Sequence, residues 1–440
     1  MAAAKGSALG QLGKLTELRQ RIFFVIGALV VFRLGSFIPV PGVNPEAMTS
    51  LVNGNGLMDM FNMFSGGALE RFSVFALGVI PYISASIVFQ MMGAVVPSLQ
   101  ALRKEGESGK RKMTMYTRYA TVALAAFQSF GIAVALQGQV AAGGAPVVYA
   151  PGFGFIFSSV VGLTAGTMFL MWLGEQMTER GVGNGISLLI FAGIVAGLPG
   201  ALVHTLGMAS NGELSLIKLL MVFGLALAVT AFVVFMERAQ RRITVNYARR
   251  SGGQKAYQNQ SSNLPLKINM SGVIPPIFAS SLLMFPATAI SWFSTGQESR
   301  WLQDLTQALS PGNPLYETVS SILVFGFAFF YTAIVFNAEE TADNLKRSGA
   351  LIPGIRPGKA TASYIDAVMT RLTGVGATYL VLVCLVPSFM QNAWHVPFYF
   401  GGTSLLIVVV VVMDFTSQVQ AHLVSHQYES LLKKANLRRT

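Results

Sequence analysis

The chain has 440 residues, of which 52% are apolar and only 11% charged, with a mean hydropathy of +0.55. Soluble domains carry about 25% charged residues, so a soluble globular enzyme and a disordered chain are excluded, and with Cys384 as the only cysteine so is a disulfide scaffold. The net charge of +12 therefore matters for where the charges sit relative to a membrane.

Ten stretches approach the roughly 20 apolar residues a membrane helix needs. They are 22–40, 73–97, 119–137, 153–174, 183–203, 216–236, 270–293, 317–337, 372–391 and 397–416. All exceed strand length, which argues against a barrel. Residues 1–21 form a basic N-terminus. The span after them reads as retained rather than cleaved, because Arg33 interrupts it and no small-x-small site follows. Arg33 either meets a backbone carbonyl or an acid on another span, or plays a structural or snorkelling role.

Residues Met60, Phe61, Asn62, Met63, Phe64, Ser65, Gly66, Gly67, Ala68 and Leu69 are uncharged, too few to span and too apolar for a free loop. They fit either a short helix re-entering the bundle from outside, over about 57–72, or an interfacial helix. The second span carries Ser84, Ser86 and Gln90; Asn184 opens the fifth, and Asn269 and Ser271 the seventh. These polar groups bond across helices or mark a seam that meets water. Gly138 to Gly152, with Pro146 and Pro151, separates the third span from the fourth. Gly162-x-x-x-Gly166 and Gly193-x-x-x-Gly197 predict close helix packing.

Residues 22–203 then form an N-terminal half of five spans, 204–215 an external hinge loop, 216–416 a C-terminal half, and 417–440 a tail. Of the lysines and arginines, 27 fall on the side of the termini and even-numbered loops and three on the other, which predicts both termini cytosolic. Five spans per half predict halves of inverted topology around a central site or pore. The cytosolic loops 237–267 and 338–371 are long. In the first, alternating Ile243, Val245 and Tyr247 before Gly252-Gly253 predict a hairpin with a basic tip, carrying Arg241, Arg242, Arg249, Arg250 and Lys255. The second begins helix-like, and Pro353-Gly354-Ile355-Arg356-Pro357-Gly358 then presents Arg356 on an exposed turn. Such loops suit a large cytosolic partner, one bearing RNA included, as well as anionic lipid.

No G-x-S-x-G, H-E-x-x-H or Walker A pattern occurs. His422 and His426 lie at i, i+4 without a third ligand, so an exposed helix face is the better reading than a metal site. The acids Glu175, Glu179 and Asp414 sit at cytosolic span ends rather than mid-span, which counts against a proton-driven carrier.

Several long motifs, in order, resemble the SecY family, whose members form the core of the Sec protein-conducting channel. They are Phe75 to Ser86, Met171 to Gln176 with Gly181 to Ser187, the Met60–Leu69 segment, Gly354 to Gly358, and Pro397 to Ser404. The resemblance runs from about residue 20 to 435 and looks proteobacterial. It implies an all-α polytopic membrane protein: ten transmembrane helices in two inverted five-helix halves, with a short re-entrant plug helix. It implies an apolar pore ring of Val79, Ile83, Ile186, Ile190, Ile277 and Ile407. Residues Met60 to Gly67 would be the plug, and Ser84, Gln90 and Asn269 the lateral gate. An apolar collar can block ions yet deform around a passing chain. The same resemblance implies no enzymatic activity and no cofactor. The implied partners are the small subunits SecE and SecG, the motor ATPase SecA, the ribosome with its RNA, secretory and membrane preproteins, and anionic lipids. The implied location is the bacterial inner membrane, with unfolded polypeptides crossing through the ring and membrane helices leaving through the gate. Two departures stand out: Val79 where relatives often carry isoleucine, and Gln254-Lys255 where some carry paired arginines. A secondary transporter for a small solute would share the inverted topology, but lacks support from mid-span acids or a polar centre. An intramembrane protease lacks a Ser–His or paired-Asp arrangement.

Overall fold

A computed structural model describes residues 16–53, 62–140, 144–212, 215–247, 261–293, 308, 313–394 and 402–436. The helices in chain order are α1 (Thr16–Gly35), α2 (Pro45–Asn53), α3 (Ile80–Val95), α4 (Pro97–Lys104), α5 (Glu107–Gln137), α6 (Phe153–Arg180) and α7 (Gly185–Ser210). There follow α8 (Leu216–Arg238), strands β1 (Gln240–Tyr247) and β2 (Ser261–Lys267), α9 (Ile274–Phe293), α10 (Pro314–Val335), α11 (Ala338–Arg347), β3 (Ala350–Leu351), α12 (Lys359–Trp394) and α13 (Gly402–Asn436).

Each of the ten predicted stretches contains helix, but among the described residues only seven helices are long and apolar enough to cross a membrane, or eight if the bent pair α3–α4 counts as one span. A span count of ten is therefore not established among the described residues. One shortfall has a visible cause: α1 carries Glu17, Arg19, Arg21 and Arg33.

Helix ends follow local chemistry. Asn184 caps α7 by accepting from the amides of Ile186 and Ser187 at 3.1 and 3.3 Å. Asn337 caps α11 in the same way, through Glu339 and Glu340, and that helix has acids in its first turn and Lys346 and Arg347 in its last. At Pro97 the chain bends by 100°, because a residue before proline is held extended, and Val96 has φ −86° and ψ 119°. The predicted span 73–97 begins as helix only at Ile80. Residues 73–79 are turns, with Gly78 at φ +56° and the Phe75 amide held by the Ser73 hydroxyl at 3.1 Å.

The chain divides into two compact units: Met1–Asn211 with Met284–Pro311 and Ile407–Thr440, and Gly212–Leu283 with Gly312–Leu406. The core of the first unit includes Met48, Val52, Phe72, Leu77, Leu136 and Leu163. Phe72 has φ +45° and is fully buried, stacked at 6.2 Å on Phe155. The strain of such a backbone costs about 1–3 kcal/mol, and burying the ring returns a similar amount, about 1.5–3 kcal/mol. The glycine pair Gly162 and Gly166 does not meet a helix: both face the turn segment at Val74, and a β-carbon on Gly166 would collide with the Val74 carbonyl.

In the second unit, β1 pairs antiparallel with β2, with Ile243 opposite Leu264, and also with β3, with Asn246 opposite Leu351. The sheet order is β2-β1-β3. The predicted hairpin is present as its two strands; its tip lies outside the described residues. The third strand comes from the other long loop, so both loops share one sheet. Ile243, Val245, Leu266, Ala350 and Ile352 pack from this sheet onto Ile365 and Met369 of α12. Arg242, Thr244 and Asn246 face out, the alternation of a one-sided sheet. Much of the predicted loop 338–371 is helix, as α11 and the first turns of α12.

Candidate functional site

Met60 and Phe61 of the expected plug lie outside the described residues; Asn62 to Gly67 are described. Residues 62–65 form one helical turn, closed by Gly66 at φ +71° and Gly67 at φ +81°. Asn62 organises it. Its carbonyl accepts from the Gly67 amide at 2.9 Å and the Ser65 hydroxyl at 3.1 Å. Its side-chain amide donates to Glu70 Oε2 at 3.2 Å and accepts from the Glu70 amide at 3.1 Å. Asn62 and Ser65 of this segment are buried.

Its seat is the face of α7 that carries two of the expected ring residues. A β-carbon on Gly193 would lie 2.8 Å from the Phe64 carbonyl oxygen, and one on Gly66 would lie 3.0 Å from Gly193 Cα. Ile190 precedes Gly193 by three residues and Ile186 by seven, the spacing of one helix face. On the other side, a β-carbon on Gly78 would be 3.8 Å from Ser65. Val79 follows directly, buried, and its carbonyl accepts from the Ile83 amide at 3.0 Å. The short segment thus touches backbone beside Val79 and beside Ile190. Gly193, expected to pack against another helix, instead receives this turn.

Val79, Ile83, Ile190, Ile277 and Ile407 are all at most 7% exposed, and Ile186 is half-buried with its Cδ1 lying against Gly174. Between α6 and α7 the glycines permit the closest approach: a β-carbon on Gly185 would collide with the Gly174 carbonyl. The Thr178 hydroxyl accepts from the Gly185 amide at 2.8 Å. Gln418 Oε1 on α13 accepts from the Gly183 amide at 2.8 Å.

Of the expected gate residues, Gln90 donates to Ser86 Oγ at 3.0 Å one turn away. The Ser84 hydroxyl is buried without a hydrogen-bond partner among the described residues. Asn269 is buried in a polar knot: it donates to Glu237 Oε1 at 2.6 Å and the Gly272 carbonyl at 3.2 Å, and accepts from Ser271 Oγ at 2.9 Å and the Gly272 amide at 3.1 Å. It ties the end of α8 to the turn that starts α9.

Arg249, Arg250 and Lys255 lie outside the described residues, while Arg241, Arg242 and Arg356 are exposed. Arg356 sits between Gly354 (φ +81°) and Gly358 (φ +103°), and its carbonyl accepts from Thr361 Oγ1 at 2.9 Å at the start of α12. The turn borders an open hollow of about 450 Å³ lined also by Asn246, Leu351 and Pro353.

Arg33 Nη1 donates to the Gly66 carbonyl at 2.7 Å, so of the alternatives read from the sequence it takes a backbone carbonyl, one in the short turn rather than on another span. Sequence reasoning missed two features. Glu70 is the partner of Asn62, and an Asn eight residues before a Glu is no motif. The third strand is two residues long, too short to show a period.

The sequence profile of the SecY family matches residues 73–416. The protein translocase subunit SecY of Escherichia coli is 59% identical over 428 residues, covering 97% of this chain and 96% of its own length. That of Pseudomonas aeruginosa is 56% identical over 439 residues, covering 99% and 98%. Among solved structures, one described as a protein-conducting channel aligns with a TM-score of 0.67 at 16% identity, covering 93% of this chain and 94% of that one. A yeast Ssh1 complex, solved bound to the yeast ribosome, aligns at 0.64 with 15% identity, covering 97% and 94%. The chain belongs to the SecY family of protein translocase subunits, which are channel components and not enzymes.

Proposed function

We propose that unfolded secretory polypeptides cross the membrane through an apolar constriction supplied by Val79, Ile83, Ile186, Ile190, Ile277 and Ile407, with the Met60–Gly67 segment as its plug. The observation that carries this reading is the seating of the Asn62–Gly67 turn on Gly193 and beside Gly78, next to Ile190 and Val79. Branched apolar groups hold no specific bonds to a passing chain, so sequence does not limit passage, and an empty apolar waist excludes ions by dewetting. Ile277 joins the set through the family resemblance.

Ser84, Gln90 and Asn269 belong to the lateral gate on this reading. Ser84's unpartnered hydroxyl is what a seam that opens to water would carry. Arg241, Arg242, Arg249, Arg250, Lys255 and Arg356 form the docking face for a ribosome or for the motor SecA; the ribosome-bound Ssh1 relative and the exposure of Arg356 support this. SecE and SecG would complete the complex, anionic lipids would meet the basic loops, and the location would be the bacterial inner membrane with both termini cytosolic. The division into halves 22–203 and 216–416 around the hinge 204–215 belongs to the same reading.

Disulfide trapping tests it. Cys384→Ser is combined with single substitutions Ile83→Cys, Ile190→Cys or Ile277→Cys, with Leu227→Cys on the exposed face of α8 as control. A secretory precursor with one cysteine is stalled in transit and oxidised. Cross-links from the three ring positions and none from Leu227→Cys are expected. Continued secretion without ring cross-links would sink the pore assignment.

A further inference from the structure

Arg33 stands at the end of α1, where the helix dipole favours a cation. Its own carbonyl accepts from Ser36 Oγ at 2.7 Å, which ties off the helix end independently of anything else the side chain does. The guanidinium leaves α1 and donates to the Gly66 carbonyl at 2.7 Å, at the apex of the turn seated on Gly193. Phe37 lies flat beneath it, 4.9 Å from the guanidinium carbon to the ring centroid, and Arg71 stacks on the same ring at 4.3 Å. Glu70 pairs with Arg71 at 3.1 Å and with Asn62, so it offsets the two neighbouring cations.

The turn itself is closed by bonds within residues 62–70, most of them made by Asn62 and Glu70, with one more from the Gly66 amide to the Met63 carbonyl at 3.2 Å. Its contact with α7 is made by backbone at Phe64 and Gly66 against Gly193. Phe64 also packs against the core of the first unit, where Leu69 is buried, and the charge-assisted bond from Arg33 adds to these contacts in holding the turn in place.

We infer that Arg33 is the latch of the plug: a positioning residue whose bond to the Gly66 carbonyl biases the channel toward its closed state. The inference rests on the plug reading above. The phenylalanine shelf and the helix end keep the guanidinium aimed when the turn departs, so the latch is ready for its return. Opening breaks this bond together with the contacts of Phe64 and the seat on Gly193, and rehydration of both ends of the bond keeps the step reversible.

The test uses the full-length chain, purified with the small subunits that accompany it, in vesicles holding chloride and an entrapped chloride-sensitive dye. Arg33→Gln should raise resting chloride leak about tenfold, the scale of one charge-assisted hydrogen bond. Arg33→Lys, which keeps a cationic donor, should restore most of the seal. Amide hydrogen exchange should rise in residues 62–73 of Arg33→Gln and stay unchanged in α5. Gly193→Val, which forces the turn off its seat, serves as the reference for a displaced plug. If Gly193→Val leaks and Arg33→Gln does not, the latch is wrong and the plug stands. If neither leaks, the plug reading falls and takes the latch with it. Equal leak from Arg33→Gln and Arg33→Lys, with exchange raised throughout α1, would reduce Arg33 to a part of that helix's packing.

Discussion

Glycines do at single positions what bulky residues do elsewhere in a core. Gly185 lies so close to the Gly174 carbonyl that no side chain fits, and Gly193 leaves room for the Phe64 carbonyl. Gly185→Ala should destabilise the first unit by about 1–3 kcal/mol, because the clash is with the Gly174 carbonyl and the Met177 β-carbon, neither of which can rotate away. A lowered melting temperature in detergent would show it; an unchanged one would mean that α6 and α7 slide apart cheaply. These roles were only partly legible. The G-x-x-x-G spacing of Gly193 and Gly197 reads identically whether a helix or a turn fills the groove. Arg33 was plainly anomalous in an apolar run, yet a backbone carbonyl 33 positions away leaves no trace in the sequence.

At the scale of elements, caps and breakers decide where each helix starts and stops. Asn337 holds two amides of α11 with its side-chain oxygen. Asn337→Ala should cost about 1 kcal/mol, read as a small fall in melting temperature, and Asn337→Ser should recover most of it. The long apolar runs made the helices legible, since a 20-residue apolar window has few alternatives in a membrane chain. Their ends were less so: Pro81 and Gly78 delay α3 by seven residues relative to the apolar run, and α12 continues well into what reads as loop. The hairpin was visible because Ile243 and Val245 alternate with polar residues. Ala350 and Leu351 add a third strand through tertiary packing under Ile352 and Ile365, which local pattern does not record.

For the whole molecule, the sheet makes one body of two loops separated by more than 70 residues. Arg356 is exposed outside that body's core, as the proposed docking role requires. Arg356→Glu should weaken binding of ribosomes or the motor at least tenfold, with most of the loss disappearing at high salt where exposed charges are screened, and leave the melting temperature unchanged. Binding that stays equal at low salt would move the docking face elsewhere. The exposed Arg356 turn was legible from its prolines and glycines, whereas its closeness to the strands was not.

The Arg356 turn runs straight into α12, a single helix of 36 residues, about 54 Å at 1.5 Å per residue. On the docking reading proposed above, a tilt imposed at Lys359 would travel along α12, which packs against α10, as far as Pro387, where the helix lacks a backbone hydrogen bond and can bend. Engagement outside the membrane and rearrangement within it would then be one mechanical act.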